Sequence, residues 1–453
     1  MQELGIDCLV RRIATFGDGK FLQTADSTHT YDDLFRAIQR WQTRLADLDV
    51  PEGPVGLVAD YSLEAIAALM ALWCKRACVA LVPAHEAKNR SYHEAGHIGS
   101  LLFVNPDDSY EFETVGLAAS NPLLTQLAAS GNPGIILFSS GSSGDPKAVL
   151  HDFNRFAAKF AKPGKQLSTY AFLVFDHVAG QDTLLYTISA GGCLVVGASR
   201  RPETVASLIE QYAVEVLPAS PTFLNLLLAS GANERFDLSS IKIITYGSEP
   251  MDPSTLAKLA DTFPSAKIIQ KYGTSEFGAI RSASRENGSL FIAIKEDETE
   301  FRVEDGLLWV KPSGAMMGYL NAPSTLDDAG WICTGDLVEQ DGKWLRILGR
   351  ASDLINVGGE KVVPSEVESV VQELDFVTDC IVKGEKHPLT GMIVVAEIAV
   401  NTNKQPSSPS ERRALVKTIR RHCLEKLPNH KVPVNIQFSE EPSATDRQKK
   451  IRR

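Results

Sequence analysis

No stretch of this chain is long and apolar enough to span a bilayer. The best candidate, residues 63–74, contains Glu64 and is followed by Lys75 and Arg76, whereas a spanning helix needs about 20 apolar residues. No membrane role is expected. An excess of positive charge is also missing: lysine and arginine number 46 against 56 aspartates and glutamates, a formal net charge of −10. That balance argues against generic binding to nucleic acid or to an anionic membrane, both of which need a basic face. The one dense basic cluster is Arg447, Lys449, Lys450, Arg452 and Arg453, which taken alone reads as a solvated tail. Cysteines at metal or redox spacing are absent. The seven cysteines are scattered, only Cys74 and Cys78 lie close together, and there is neither a CxxC pair nor a histidine-rich ligand spacing; a reducing compartment is expected. The opening MQELGIDCLVRR lacks the basic-then-apolar order of a secretory signal, so the expected location is cytoplasmic. No internal repeat is found.

What remains is an ordinary globular composition, 44% apolar and 23% charged over 453 residues, enough for two or three packed units. Residues 30–47 show helical spacing at Leu34, Ile38, Trp41 and Leu45, with Thr30 or Asp32 as the N-cap. A short strand at 55–58, an apolar helix from 63 and a buried strand at 78–82 follow, a β-α-β order that predicts a parallel sheet with helices on its faces. The same alternation is expected at 134–150, 171–175, 193–196, 214–217 and 241–246. Near 301–309 and 344–347 the pattern turns to short alternating strands with the turns Asp305-Gly306 and Asp341-Gly342, predicting a small antiparallel, barrel-like part. After Gly349-Arg350 the chain reads as an α+β module, with strands at 380–382 and 392–398 alternating with helices from Ser365 and Ser410. The expected division is a large α/β unit over residues 1–350 and a small α+β unit over 351–453.

The strongest local signal is Ser139-Ser140-Gly141-Ser142-Ser143-Gly144-Asp145-Pro146-Lys147, directly after an apolar strand. Small hydroxyl residues and glycines let backbone N–H groups wrap a phosphate, and Lys147 adds charge; a flexible Ser/Gly loop is the alternative. It is not a GxxxxGK[ST] loop, because Pro146 precedes the lysine and Ala148 follows it.

This stretch resembles the phosphate loop of the adenylate-forming superfamily, which comprises acyl- and aryl-CoA synthetases, nonribosomal-peptide adenylation domains and luciferase. Further segments resemble the same superfamily in order along the chain. They are His29-Thr30-Tyr31-Asp32-Asp33-Leu34; residues 67–83; Phe175-Asp176-His177-Val178-Ala179-Gly180; Tyr246-Gly247-Ser248-Glu249-Pro250; and Lys271-Tyr272-Gly273-Thr274-Ser275-Glu276. Thr334-Gly335-Asp336, Gly349-Arg350-Ala351-Ser352-Asp353 and Gly358-Gly359-Glu360-Lys361, with Pro364-Ser365-Glu366-Val367-Glu368, complete the set.

The resemblance implies ATP-dependent activation of a carboxylic acid to an acyl-AMP, with release of pyrophosphate, followed by acyl transfer. It also implies a fold with a C-terminal domain that rotates between the two steps about a hinge, here Ser352. Glu276 is then the ligand of Mg²⁺, a hard oxygen for a hard cation; as a bare residue it reads equally as an acid complementing a helix N-terminus. Tyr272 offers a π face for adenine, and Gly247, Ser248, Glu249 and Pro250 form the strip beside it. Asp336 accepts the ribose hydroxyls, using both carboxylate oxygens, and Arg350 binds ribose or phosphate. Phe175, Asp176, His177, Tyr246 and Gly247 line the acid pocket, with Phe223 a candidate wall or a core residue. Gly358, Gly359 and Glu360 form the acyl-transfer loop.

The superfamily's tail lysine falls on Lys449 when counted from Thr445 and on Lys450 when aligned on Lys-Ile, with Gln448 where a glycine is usual; Lys449 is favoured. Such chemistry depends on positioning and charge, since two unit charges about 4 Å apart repel by roughly 4 kcal/mol near a protein surface. A carboxylic acid is already ionised at neutral pH, so no general base is required. The expected acceptor is a thiol, either coenzyme A or the phosphopantetheine of an acyl carrier protein. An amine acceptor, and a non-catalytic binding protein, are the alternatives. About 50 residues separate Pro83 from the phosphate loop, which points to a trimmed N-terminal part. The acid itself is not legible.

Overall fold

The computed structural model describes residues 5–48, 53–116, 120–140, 145–295, 299–388, 390–400 and 405–439. Two seven-stranded sheets organise the larger part of the chain. In the first, Val55–Val58, Cys78–Leu81 and Ser100–Val104 pair in parallel, and Cys78–Leu81 also pairs in parallel with Gly134–Ser140. The second is parallel through Leu22, Leu194, Thr169, Val216, Ile243 and Lys267.

Between the sheets runs the helix Leu63–Cys74, which is apolar all round and buried from Glu64 to Trp73, as a helix without a polar face must be. Ser62 caps its first turn by accepting from the Ala65 N–H. Glu64 is held inside by accepting from Trp41 Nε1 at 2.8 Å and Arg40 Nη2 at 2.6 Å, contacts that oppose the rise in its pKa that burial causes. The helix Tyr31–Asp47 begins with a reciprocal cap between Thr30 and Asp33, which settles its N-cap on Thr30.

Two expectations fail in an instructive way. Residues 134–150 do not repeat the β-α-β order. Gly134–Ser140 turns straight back into Pro146–Asp152 as an antiparallel pair, with Ser139 opposite Lys147; a short Ser/Gly connection reverses a chain, whereas a parallel crossover needs a dozen residues or more. The strand expected at 171–175 is instead Ser168–Tyr170, and Phe172 and Phe175 beyond it are buried in two different cores.

A six-stranded antiparallel sheet follows. Its hairpins turn at Asp305-Gly306 and at Gly342, all three in the left-handed region at φ 50°, 76° and 60°, as the DG signals require. Beyond it, the strands expected at 380–382 and 392–398 are the longer Val377–His387 and Gly391–Val400, which form one long hairpin. The helices Pro364–Gln372 and Pro409–Lys426 pack on that sheet around Val367, Val371, Cys380, Ile398, Ile419 and Cys423. Contacts to the rest of the chain include the Asn225 amide donating to the Thr378 carbonyl at 2.5 Å and the Ser365 hydroxyl donating to the Leu348 carbonyl at 2.7 Å. Among the described residues no helix is long and apolar enough to cross a membrane, and all seven cysteines are free thiols.

Candidate active site

The antiparallel pair that carries the Ser/Gly turn delivers Lys147 to a cluster built from three separate parts of the chain. Gly141, Ser142, Ser143 and Gly144 lie outside the described residues; Ser139, Ser140 and Lys147 flank them on facing strands. A short strand, Gly318–Tyr319, pairs with the outer strand of that hairpin. Asn321 fastens the two by accepting from the Ala148 N–H at 2.9 Å and donating to the Pro146 carbonyl at 2.8 Å. The Lys147 ammonium stands 5.4 Å from the Tyr319 ring centre, within reach of the ring's negative face. The Tyr319 hydroxyl in turn donates to Glu276 Oε1 at 2.5 Å. Burial first, and then the Glu276 charge, hold this phenol well above its ordinary pKa, so it stays a donor. Tyr319 and Asn321 thus join the site with no signal in the sequence.

Glu276 leaves the hairpin formed by Tyr272–Thr274 and Gly278–Ile280. Its backbone is fixed on both sides: the Glu276 N–H reaches Thr274 Oγ1 at 3.3 Å and its carbonyl accepts from Met316 N–H at 2.7 Å. The preceding Ser275 carbonyl accepts from His151 Nε2 at 2.7 Å. Burial lowers the pKa of His151 to about 4, so the ring is neutral with its proton on Nε2. Gly273 cannot carry a side chain, since a Cβ there would stand 2.2 Å from the Gly278 carbonyl oxygen.

Asp336 forms the second cluster. Its carboxylate accepts from the Tyr272 hydroxyl at 2.6 Å on one oxygen and forms an ion pair with Arg350, Nε at 2.9 Å, on the other. Arg350 also donates to the Thr334 carbonyl at 2.5 Å. Burial raises the Asp336 pKa, and Arg350 and Tyr272 oppose that rise. Tyr272 is itself closed in, with its phenol raised well above the ordinary value chiefly by burial; what it offers the site is a hydroxyl more than an open ring face. Gly335 sits at φ 73°, which lets the chain turn between Thr334 and Asp336.

The Tyr246–Pro250 strip ends the strand Ile243–Tyr246, beside Lys271. A Cβ on Gly247 would lie 2.5 Å from the Lys271 carbonyl oxygen. Ser248 has φ 71°, and Glu249 accepts from the Thr222 N–H at 3.3 Å. Pro250 lies next to Gly349, whose missing Cβ would be 3.9 Å from its ring, so this strip adjoins Arg350. Tyr246 is buried, with its hydroxyl 3.4 Å from Gln270 Oε1. Phe223 is wholly buried against Phe172, with ring centres 4.2 Å apart, and is a core residue.

His177 caps the helix Val178–Ser189, its Nδ1 accepting from the Ala179 N–H at 3.2 Å. Phe175 packs edge-on against Tyr61 at 5.2 Å, and its carbonyl accepts from Gln181 at 2.6 Å. Asp176, with Asp60 and Arg200, is one of the charges acting on the Tyr61 hydroxyl.

Ser352 lies exposed in the single turn Ala351–Asp353, its hydroxyl donating to Asp353 at 3.1 Å. Gly358 and Gly359 take φ 61° and 95° in an exposed turn before Glu360. Lys449 and Lys450 lie outside the described residues. Among the described residues no cluster of three or more metal-type ligands occurs.

Comparison with known proteins places these features in a wider group. The AMP-binding enzyme family matches residues 76–320, and the AMP-binding enzyme C-terminal domain matches residues 366–449. Acyl-CoA synthetase 7 of Caenorhabditis elegans is 28% identical over 350 residues, which are 70% of this chain and 63% of that protein. 4-Coumarate-CoA ligase 1 of Narcissus pseudonarcissus is 26% identical, over 62% of this chain and 58% of its own length. The chain therefore aligns with less than two thirds of either curated relative. Among solved structures, the anthranilate CoA ligase AuaEII in complex with anthranoyl-AMP superimposes with a TM-score of 0.81 at 20% identity, over 97% of this chain and 94% of that one. The amide bond synthetase McbA of Marinactinospora thermotolerans gives 0.76 at 19%, over 98% and 97%. At these identities the likeness establishes a common fold.

Proposed function

The chain belongs to the AMP-binding enzyme family, and from that premise we propose that it is an adenylate-forming acid–thiol ligase. In the first step an oxygen of an ionised carboxylic acid attacks the α-phosphorus of ATP. The Pα–O bond to the β-phosphate breaks and pyrophosphate leaves with its electron pair; no proton moves. In the second step a thiol sulfur, of coenzyme A or of carrier-protein phosphopantetheine, bonds to the acyl carbon, the thiol proton is lost, and AMP departs.

The observation that carries this reading is the run of contacts from Lys147 through Tyr319 to Glu276. It joins the Ser/Gly segment to a carboxylate suited to a metal. Glu276 spends Oε1 on Tyr319 and makes no other side-chain hydrogen bond among the described residues, which leaves Oε2 as the hard donor that Mg²⁺ prefers. The residues therefore fit that ion, which when bound neutralises phosphate charge. Ser139, Ser140, Gly141, Ser142, Ser143, Gly144 and Lys147 hold the phosphates. Asp336, buried and already oriented by Tyr272 and Arg350, retains unused lone pairs for the ribose hydroxyls. Gly247 to Pro250 lie against adenine, and Phe175, Asp176 and His177 border the acid. Lys449 bridges the carboxylate and the α-phosphate. Residues 351–453, turning at Ser352, then exchange Lys449 for the Gly358-Gly359-Glu360 loop.

The test is acid-dependent pyrophosphate release with ATP and Mg²⁺ across an acid library, followed by addition of coenzyme A, a phosphopantetheine-bearing carrier, or amines. Release that ends in a thioester supports the ligase. Amide products without thioesters would reassign the acceptor. Absence of release with every acid would overturn adenylation.

A further inference from the structure

We propose that Lys271 is a specificity residue of the acid pocket, and that it pairs with a second carboxylate at the far end of the substrate, so that this chain activates dicarboxylic acids. The inference rests on the adenylation reading above and narrows its substrate class.

Placement comes first. Lys271 continues into the strand Tyr272–Thr274, in which Tyr272 and Thr274 point to the buried side and Gly273 is exposed. Since successive side chains of a strand alternate in direction, Lys271 projects on the same side as Gly273, away from the core. Its N–H donates to the Tyr246 carbonyl at 2.7 Å, and its Cβ lies 3.6 Å from where a Cβ on Gly247 would stand. Lys271 therefore adjoins Tyr246 and Gly247, at the border assigned to the acid. Opposite it, the helix capped by His177 supplies Asp182, whose carboxylate is tied to Lys159 at 2.5 Å. Lys159 in turn reaches the Ala279 carbonyl at 3.0 Å on the partner strand of the same hairpin.

The charge around Lys271 is unbalanced. Its side chain is open to solvent, yet protein crowds it closely enough that desolvation lowers its pKa. The side chain thus stands exposed on the face shared with Gly273, beside Tyr246 and Gly247, with neighbouring protein close enough to displace part of its water. The only anion among the strongest charges acting on it is Asp182, already engaged by Lys159; Lys159, Arg281 and Lys295 repel it. Among the described residues Lys271 makes no ion pair of its own. A partly desolvated ammonium without a partner is costly, and an incoming carboxylate relieves that cost. An acid with an apolar far end leaves the ammonium unpaired and dehydrates it further, so the site discriminates by what it would otherwise leave unsatisfied.

The experiment compares pyrophosphate release by the full chain for straight-chain monocarboxylic acids and α,ω-dicarboxylic acids of matched length. Dicarboxylic acids should be favoured by about tenfold or more in kcat/KM, mostly through KM. Lys271→Met should lower that preference by about tenfold, and Lys271→Arg should keep it; Lys271→Gln serves where the methionine variant does not fold. Release with monocarboxylic acids in preference to dicarboxylic ones would overturn the inference while leaving adenylation intact. A preference unmoved by Lys271→Met or Lys271→Gln would do the same. No release with any acid would remove the adenylation reading and this one with it.

Discussion

Asp336 and Arg350 form an ion pair whose two halves differ in their access to water. Arg350 is 49% exposed at the side chain and Asp336 only 9%. Removing the carboxylate frees a guanidinium that can hydrate; removing the guanidinium strands a buried carboxylate with only Tyr272 to support it. Arg350→Ala should therefore destabilise the fold more than Asp336→Asn, by about 1–3 kcal/mol after allowance for the exposed partner. Urea midpoints of the two variants measure the difference. Asp336→Asn should instead act chiefly on nucleotide binding, raising KM for ATP about tenfold or more, because an amide offers the ribose hydroxyls one acceptor oxygen in place of two.

His151 makes a prediction about pH. Its pKa is lowered from 6.5 to about 4 in the folded chain, by burial above all. Below pH 6.5 the unfolded chain takes up a proton that the folded chain refuses, so stability falls as pH drops from 6.5 towards 4 and is unaffected by this group above 6.5. Integrated over that window the loss is about 3 kcal/mol. Denaturant unfolding across the window should show the slope, and His151→Leu should flatten it. Because His151 also holds the Ser275 carbonyl next to Glu276, the same variant should weaken Mg²⁺-dependent turnover at pH 7, where the protonation argument has no force.

At the level of elements, the helix start at His177 depends on a glycine for a reason that motif matching does not supply. A Cβ on Gly180 would stand 1.9 Å from the Val174 carbonyl oxygen and 3.0 Å from the Tyr61 hydroxyl, which itself donates to the Gly180 carbonyl at 3.0 Å. Gly180→Ala must therefore push the helix away from the loop bearing Phe175 and Asp176. A cost of about 3 kcal/mol is expected from overpacking at such a contact, read as a lowered thermal midpoint, together with raised KM for the acid.

Local patterns made many of these elements legible in advance. The helix beginning near Thr30 or Asp32, the buried helix from residue 63, the DG hairpins and the helices beginning near Ser365 and Ser410 all follow from signals within a few residues of each other. Strand partners and their directions did not, because pairing is settled by contacts distant in sequence. The Ser/Gly segment read as a phosphate loop, yet nothing local distinguished a hairpin from a crossover there. Tyr319 and Asn321 escaped notice for the same reason: their partners lie 43 and 173 residues away, and neither sits in a distinctive local pattern. Lys271 was visible only as the residue before a recognisable motif, and its meaning came from Asp182 and Lys159 being brought beside it.

At the scale of the whole molecule, the C-terminal sheet has its own core and meets the rest of the chain through polar contacts such as Asn225 to Thr378 and Ser365 to Leu348. Polar contacts exchange for water at small net cost, so contacts of this kind add little to the cost of a change of pose. If residues 351–453 serve the two steps in turn, the residues they present must separate the steps. Lys449→Ala should lower pyrophosphate release strongly, by about a hundredfold if one charge contact to the reacting phosphate is lost. Transfer from preformed acyl-AMP should fall much less. Gly359→Ala should do the reverse: with φ at 95° and no atom within 4 Å of the added methyl, the change strains the turn without obstructing anything around it. Acyl transfer should suffer and pyrophosphate release should not. Rapid-quench measurement of each step separates the two. Equal losses in both steps for both variants would mean that one fixed arrangement performs them, and that Ser352 is an ordinary surface turn.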